Sequence, residues 1–184
     1  AIYHNGKLWP QNSDGTHGSK KNVTVQYAIQ KSFNTVPVRI ITEMLGVNEA
    51  YNFMKKTFHL STLDDTNDAS IAPLATGSLT NGVTTVEMAA AYAVFGNNGY
   101  YYKPYCYYKV TNATGTEVLL ETKSEPEKVL SEDTAEVMRE LLKTVPARSF
   151  RSSKNLGKFE LMSKTGTTSD TKDSWIAGGT PYYV

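Results

Sequence analysis

The sequence predicts an α+β fold, because capped helix-period segments and hairpin-like segments fall in separate runs along the chain. Three observations carry that prediction. Thr84 and Glu87 form a capping-box pattern in front of a small, apolar run. Ser131 precedes an amphipathic stripe of Ala135, Met138, Leu141, Leu142 and Val145, which Pro146 ends. A Tyr- and Val-rich segment over 100–111 turns through 112–115 onto 117–122, the pattern of a β-hairpin. The chain has 184 residues, 40% of them apolar and 20% charged, which suits one domain or most of one and excludes disorder.

In chain order, residues 1–22 are polar and turn-rich, marked by Asn5-Gly6, Trp9-Pro10, Asp14-Gly15 and His17-Gly18. A continuous loop of that length is expected to pack over another part of the fold or to serve a site. Residues 23–30 then read as a short helix with Thr24 as N-cap, halted at Ser32-Phe33-Asn34. Val36, Val38, Ile40, Ile41, Met44 and Leu45 predict the next helix, with Pro37 in its first turn and Gly46 as its stop. A third helix is expected over 48–58 and an extended loop over 61–82. The helix over 86–95 is apolar on most faces, so burial on nearly all sides is expected. Residues 159–164 and 174–177 read as strands, separated by Thr165-Gly166-Thr167-Thr168-Ser169-Asp170. Cys106, among tyrosines, is expected to be a buried strand residue, and the surrounding tyrosines to pack the hairpin rather than form a sugar platform.

Composition narrows the function classes. With 19 basic against 18 acidic side chains, a net charge of +1 offers no electrostatic case for nucleic acid or anionic lipid. One cysteine and three scattered histidines cannot assemble a Cys/His zinc site, and His4, His17 and His59 are expected in surface or packing roles. The chain opens at Ala1 without an initiator Met and ends at Val184 while still apolar, so a piece of a longer domain is expected.

Two short motifs carry chemistry. In Lys164-Thr165-Gly166-Thr167-Thr168, an ammonium beside two hydroxyls suits a substrate carboxylate. Gly166 leaves room for an extended ligand along the strand edge, and a backbone N–H beyond it can face a developing oxyanion. The alternative reading of that segment is a solvated hairpin turn. In Ser32-Phe33-Asn34, a hydroxyl can relay a proton and a carboxamide can orient a substrate amide, although Ser and Asn are also ordinary helix-terminus residues.

In this order the motifs match the S-x-N and K-T-G elements of penicillin-reactive serine enzymes. The chain resembles the transpeptidase domain of class A (bifunctional) penicillin-binding proteins from about residue 23 to residue 184. The most specific stretch is Gly77 through Gly99, reading G-S-L-T-N-G-V-T-T-V-E-M-A-A-A-Y-A-V-F-G-N-N-G, followed by Tyr102-Lys103-Pro104-Tyr105 and later by Lys172-Asp173-Ser174-Trp175. The resemblance implies one transpeptidase domain over 1–184: a loop segment over 1–22, a mainly helical part over 23–99, and the hairpin, helix and K-T-G strands over 100–184. It implies an antiparallel β-sheet flanked by helices on both faces and no metal or organic cofactor. The implied activity is a D,D-transpeptidase that cross-links peptidoglycan stem peptides ending in D-Ala-D-Ala and is acylated by β-lactams. The implied location is the extracytoplasmic face of the bacterial membrane, anchored by a segment outside these residues.

Carried over by motif, Ser32 relays a proton and Asn34 binds the donor amide. Lys164 holds positive charge near Ser32, Thr165 and Thr167 bind the terminal carboxylate, and Gly166 keeps the edge open. The Thr167 N–H supplies half of the oxyanion hole. The family's first motif, S-x-x-K with the nucleophilic serine, does not occur before Ser32. Its one match, Ser169-Asp170-Thr171-Lys172, follows K-T-G in a polar loop rather than opening a buried helix, and is set aside. An upstream segment or a companion chain is therefore expected to carry the nucleophile, and the chain alone to be inert. Ser163, where the family has glycine, and the segment 145–151 are milder departures. A non-catalytic β-lactam or peptidoglycan sensor on the same fold is the alternative; a secreted β-lactamase is disfavoured because no E-x-x-L-N segment is present.

Overall fold

The computed structural model describes residues 1–18, 21–146, 160–168 and 172–184. Segment 147–151, Phe159 and the Ser169–Thr171 part of the S-x-x-K match lie outside the described residues.

The helical part follows its local signals. Helix α1 (Val25–Lys31) starts where the Thr24 hydroxyl accepts the Tyr27 N–H, satisfying one of the amides that a helix start leaves without a partner. Helix α2 (Thr35–Ile40) runs on as a π-helical turn over Ile41–Leu45, closed by Gly46 N donating to Ile41 O at 2.8 Å. Helix α3 (Val47–Asn52) continues in the same way over Phe53–Thr57. A six-residue helix α4 (Ile71–Thr76) interrupts the expected 61–82 loop. Pro73 sits in its first turn, where a missing N–H costs nothing, so the proline does not prevent the helix.

Around α4 the loop is held by Asp68, which is fully buried. Its carboxylate accepts from Asp64 N at 3.0 Å and from Thr80 N and Thr80 Oγ1, both at 2.8 Å. Burial pushes that carboxyl upward, but these bonds outweigh it and hold the group below the usual carboxylate range.

Helix α5 (Thr85–Gly96) carries the full capping box: Thr84 Oγ1 accepts from Glu87 N, and Glu87 reaches back to Thr84 N. Glu87 also accepts from Ser61 N at 2.9 Å, so one carboxylate ties the preceding loop to the helix start. Burial works against its ionised form, yet the bonds from Ser61 and Thr84 bring its pKa down to about 2. The expectation that α5 is buried on nearly all sides fails. Only Ala91 and Val94 are buried, and Val86 is exposed. Small apolar side chains here line a partly covered surface rather than the centre of the core.

Residues 1–22 are not a continuous loop, because β1 (Ile2–His4) and β2 (Lys7–Trp9) pair as a hairpin. Asn5 and Gly6, at φ 50° and 74°, supply the left-handed pair that a tight two-residue turn needs. The expected strand over 100–111 is split. β3 (Tyr100–Tyr101) pairs with the distant β6 (Glu127–Lys128), while β4 (Lys109–Thr111) pairs with β5 (Val118–Glu121). Cys106 lies between them, exposed and outside any strand. Tyr105 and Tyr108 meet edge to face at 5.3 Å, but Tyr102, Tyr105, Tyr107 and Tyr108 remain largely exposed, so hairpin packing covers them only in part. Gly99 joins α5 to β3 at φ 87°, and a Cβ there would stand 2.2 Å from Leu130 O, so only glycine fits.

Helix α6 (Glu132–Lys143), capped by the Ser131 hydroxyl, connects the two halves of the molecule. It packs on α1, α5 and β7 (Met162–Thr167), while α5 packs on β8 (Ser174–Gly179). Ala135 and Leu142, with Val145 just beyond the helix, are buried on the expected stripe, alongside Val38, Val94 and Met162. Burial of each larger apolar side chain contributes about 1.5–3 kcal/mol. The flanked sheet that the resemblance implies is distributed, among the described residues, over four two-stranded antiparallel ladders. One of them, β7–β8, forms the floor of the site.

Candidate active site

Lys164 lies in the strand as expected, and Thr165, Gly166 and Thr167 continue that strand instead of following it. Register pairs them with Ala177, Ile176, Trp175 and Ser174, and the chain reverses only after Thr168, where Thr168 N donates to Asp173 O at 3.1 Å. The hairpin-turn reading of this segment is therefore replaced by an extended edge. Among the described residues β7 pairs only with β8, which leaves its other edge unpaired. Nothing within the described chain requires glycine at 166: the backbone is not left-handed, and an added Cβ would meet only Trp175 Cβ, at 3.8 Å.

The pleat sends Lys164 and Gly166 to one face and Thr165 and Thr167 to the other. The ammonium and the two exposed hydroxyls therefore do not form a closed cluster. They share only the strand edge, toward which Lys164 Nζ turns to donate to Thr165 O at 2.8 Å.

The second bond of that ammonium crosses the fold. Lys164 Nζ donates to Ser32 Oγ at 2.7 Å, joining residues 132 positions apart. Burial of Lys164 disfavours its charged form and lowers its pKa from the ordinary lysine value. Because the lysine fills a lone pair of Oγ, the hydroxyl's own proton is free to point elsewhere.

Ser32 reaches this position through an unusual backbone. It ends α1 in the left-handed region, at φ 53° and ψ 48°. Ser32 N donates to Ile29 O at 3.1 Å and Phe33 N to Ala28 O at 3.0 Å, the paired bonds of a Schellman stop. Phe33 completes the stop by packing edge-on against Tyr27 at 5.8 Å. Glycine is preferred at that position, and a serine there costs about 1–2 kcal/mol. Strain of this kind concentrates where side-chain placement matters more than stability.

Asn34 is the formal N-cap of α2 but makes no capping bond with its side chain. Its amide Nδ2 donates instead to Gln11 O at 2.9 Å. Ser32 and Lys164 are thus brought together, while Asn34 lies beside them with its amide held by the N-terminal segment. Sequence reading passed over Asn12, which is 3% exposed and accepts the Thr35 N–H through Oδ1 at 3.1 Å. Its only signal was that a long polar stretch had to serve something.

With this geometry in place, the relatives are informative. The family model described as the penicillin binding protein transpeptidase domain matches residues 2–181. Penicillin-binding protein 1A of Clostridium acetobutylicum is 41% identical over 175 residues, covering 95% of this chain and 21% of that protein. Penicillin-binding protein 1A of Clostridium tetani is 38% identical over 189 residues, covering 99% of this chain and 23% of that protein. Among solved structures, penicillin-binding protein A from M. tuberculosis, a ceftriaxone acyl-enzyme complex, superposes with a TM-score of 0.74 at 20% identity, covering 98% of this chain and 45% of that one. The D,D-transpeptidase domain of a peptidoglycan glycosyltransferase from Eggerthella lenta gives 0.71 at 21% identity, covering 92% and 48%. These two share the fold. The chain belongs to the penicillin-binding protein transpeptidase domain family. It spans about a fifth of the length of the curated relatives it matches.

Proposed function

We propose that these residues form the donor-binding half of a serine D,D-transpeptidase site, which cross-links peptidoglycan stem peptides and is acylated by β-lactams. The observation that carries this reading is the 2.7 Å bond from Lys164 Nζ to Ser32 Oγ beside an unpaired strand edge. A stem peptide ending in D-Ala-D-Ala adds to that edge as a further strand. Thr165 and Thr167 receive its terminal carboxylate, the Lys164 ammonium supplies positive charge from the shared strand edge, and Asn34 exchanges Gln11 O for the donor's amide carbonyl. The Thr167 N–H donates to the oxyanion. Ser32, polarised by Lys164, relays a proton: it gives its own to the departing D-Ala nitrogen and takes one in exchange from the S-x-x-K lysine outside these residues, which removed it from the attacking serine.

The attacking serine of an S-x-x-K segment comes from outside these residues, on the same protein or on a companion chain. A groove of about 470 Å³ runs beside the Ser32–Asn34 connection, lined in part by Val23, Phe33, Val36, Ile40 and Met44, and offers that segment a seat. The intact protein acts on the extracytoplasmic face of the bacterial membrane, where its substrate lies. No helix among the described residues is long and apolar enough to cross a membrane.

The test is turnover by the intact protein on uncross-linked stem peptides, followed by mass spectrometry. Release of D-Ala together with an acceptor-dependent cross-linked product is expected. Acylation by penicillin without any D-Ala release would establish the sensor instead.

A further inference from the structure

We infer that Asn12 is a positioning residue for the Ser32–Asn34 connection, acting as the cap of α2 from outside the helix. The inference rests on the reading above, that this connection works on a bound peptide. A residue at an N-cap ordinarily spends its side-chain oxygen on an N–H of the first turn. Asn34 does not: its side chain makes no capping bond, and its Nδ2 donates to Gln11 O instead. The helix start still has amides without intrahelical partners, and Thr35, which carries one of them, is 4% exposed, so water cannot serve it fully. Asn12 Oδ1 takes that N–H from 23 residues upstream, in a buried bond of 3.1 Å.

Asn12 is itself held rigidly. Its Nδ2 donates to Thr16 Oγ1 at 3.3 Å. Its backbone N–H donates to Thr16 O at 2.8 Å, and Gly15 N donates to Asn12 O at 3.0 Å. Asp14 Oδ1 closes the turn by accepting from Thr16 N and Thr16 Oγ1. The neighbouring Gln11 O accepts the Asn34 amide, so the same turn touches the connection twice. Removing the Asn12 oxygen leaves a buried amide without a partner directly behind Asn34 and lets the connection shift away from Lys164.

The test is the second-order rate of penicillin acylation in the intact protein, normalised to the folded fraction. Asn12→Ala is expected to slow acylation at least tenfold. Asn12→Asp retains an oxygen for Thr35 N–H, and at a helix start its charge is tolerated, so a rate within threefold of wild type is expected. Thr16→Val cuts the two side-chain bonds inside the turn, from Asn12 Nδ2 and to Asp14 Oδ1, leaves the Asn12 oxygen on Thr35 N–H, and is also expected to stay within threefold. Should Asn12→Ala not fold, Asn12→Gln moves the oxygen by one methylene and is expected to be at least fivefold slower. The inference is overturned if Asn12→Ala, or Asn12→Gln in its place, keeps the wild-type rate. It is equally overturned if Asn12→Asp or Thr16→Val falls as far as Asn12→Ala. Lys164→Ala in the same assay separates the two levels: a wild-type rate there defeats the functional reading itself, whereas a slow Lys164→Ala with a normal Asn12→Ala defeats this inference alone.

Discussion

Fluorescent penicillin is expected to label the intact protein that carries these residues and to leave the isolated 184-residue chain unlabelled. The expectation follows from the division of labour in the site. In the proposed reading the edge of β7, the Lys164 ammonium and the Ser32–Asn34 connection hold the acyl donor, but covalent capture needs an activated oxygen nucleophile. Ser32 is poorly suited to that part while Lys164 is charged, since its Oγ then accepts from the ammonium, which cannot also remove its proton. No S-x-x-K stands upstream of it in these residues. Gel fluorescence with peptide mapping of any adduct decides the matter. An adduct on the isolated chain at Ser32 or Ser169 would reassign the nucleophile.

Lys164→Ala in the intact protein is expected to lower the acylation rate by two orders of magnitude or more, about 3 kcal/mol of transition-state stabilisation. The substitution removes two things together: the charge proposed to receive the carboxylate, and the donor bonded to Ser32 Oγ. A fall of less than threefold would reduce the segment to an ordinary strand. The pH dependence has a definite sign. Burial lowers the Lys164 pKa, so the ammonium loses its proton below the ordinary lysine range. The acylation rate is expected to be highest below that lowered value and to decline as pH rises through it. Lys164→Arg stays charged at every accessible pH and is expected to abolish this alkaline limb, whatever its absolute rate.

Local chemistry made most elements readable. Thr24, Thr84 and Ser131 each cap the helix that begins next to them, and each signal spans no more than four residues. The hairpin β4–β5 was equally readable from its own turn. The misses are non-local or short. Tyr100–Tyr101 pairs with Glu127–Lys128 rather than continuing its own run, and no local pattern marks such a partner. Helix α4 is six residues long and holds a proline, which disguised it as loop. Cys106 was assigned to the interior by residue type, yet tertiary packing never covers it.

The site divides in the same way. Both motifs were visible as strings, but their meeting across 132 residues is a property of the fold, produced by α6 packing on both α1 and β7. The left-handed backbone at Ser32 could not be read from a residue type that rarely adopts it. Asn12 was invisible because its work is done 23 residues away, on an amide that every sequence possesses. Roles acted out at a distance need coordinates.

The most direct measurement is a double-mutant cycle on penicillin acylation with Ser32→Ala, Lys164→Ala and the double variant of the intact protein. If the hydroxyl and the ammonium act as one unit, the double variant is no more than threefold slower than the slower single variant. If their effects multiply in full, the two residues work independently and the coupling proposed for this site does not exist.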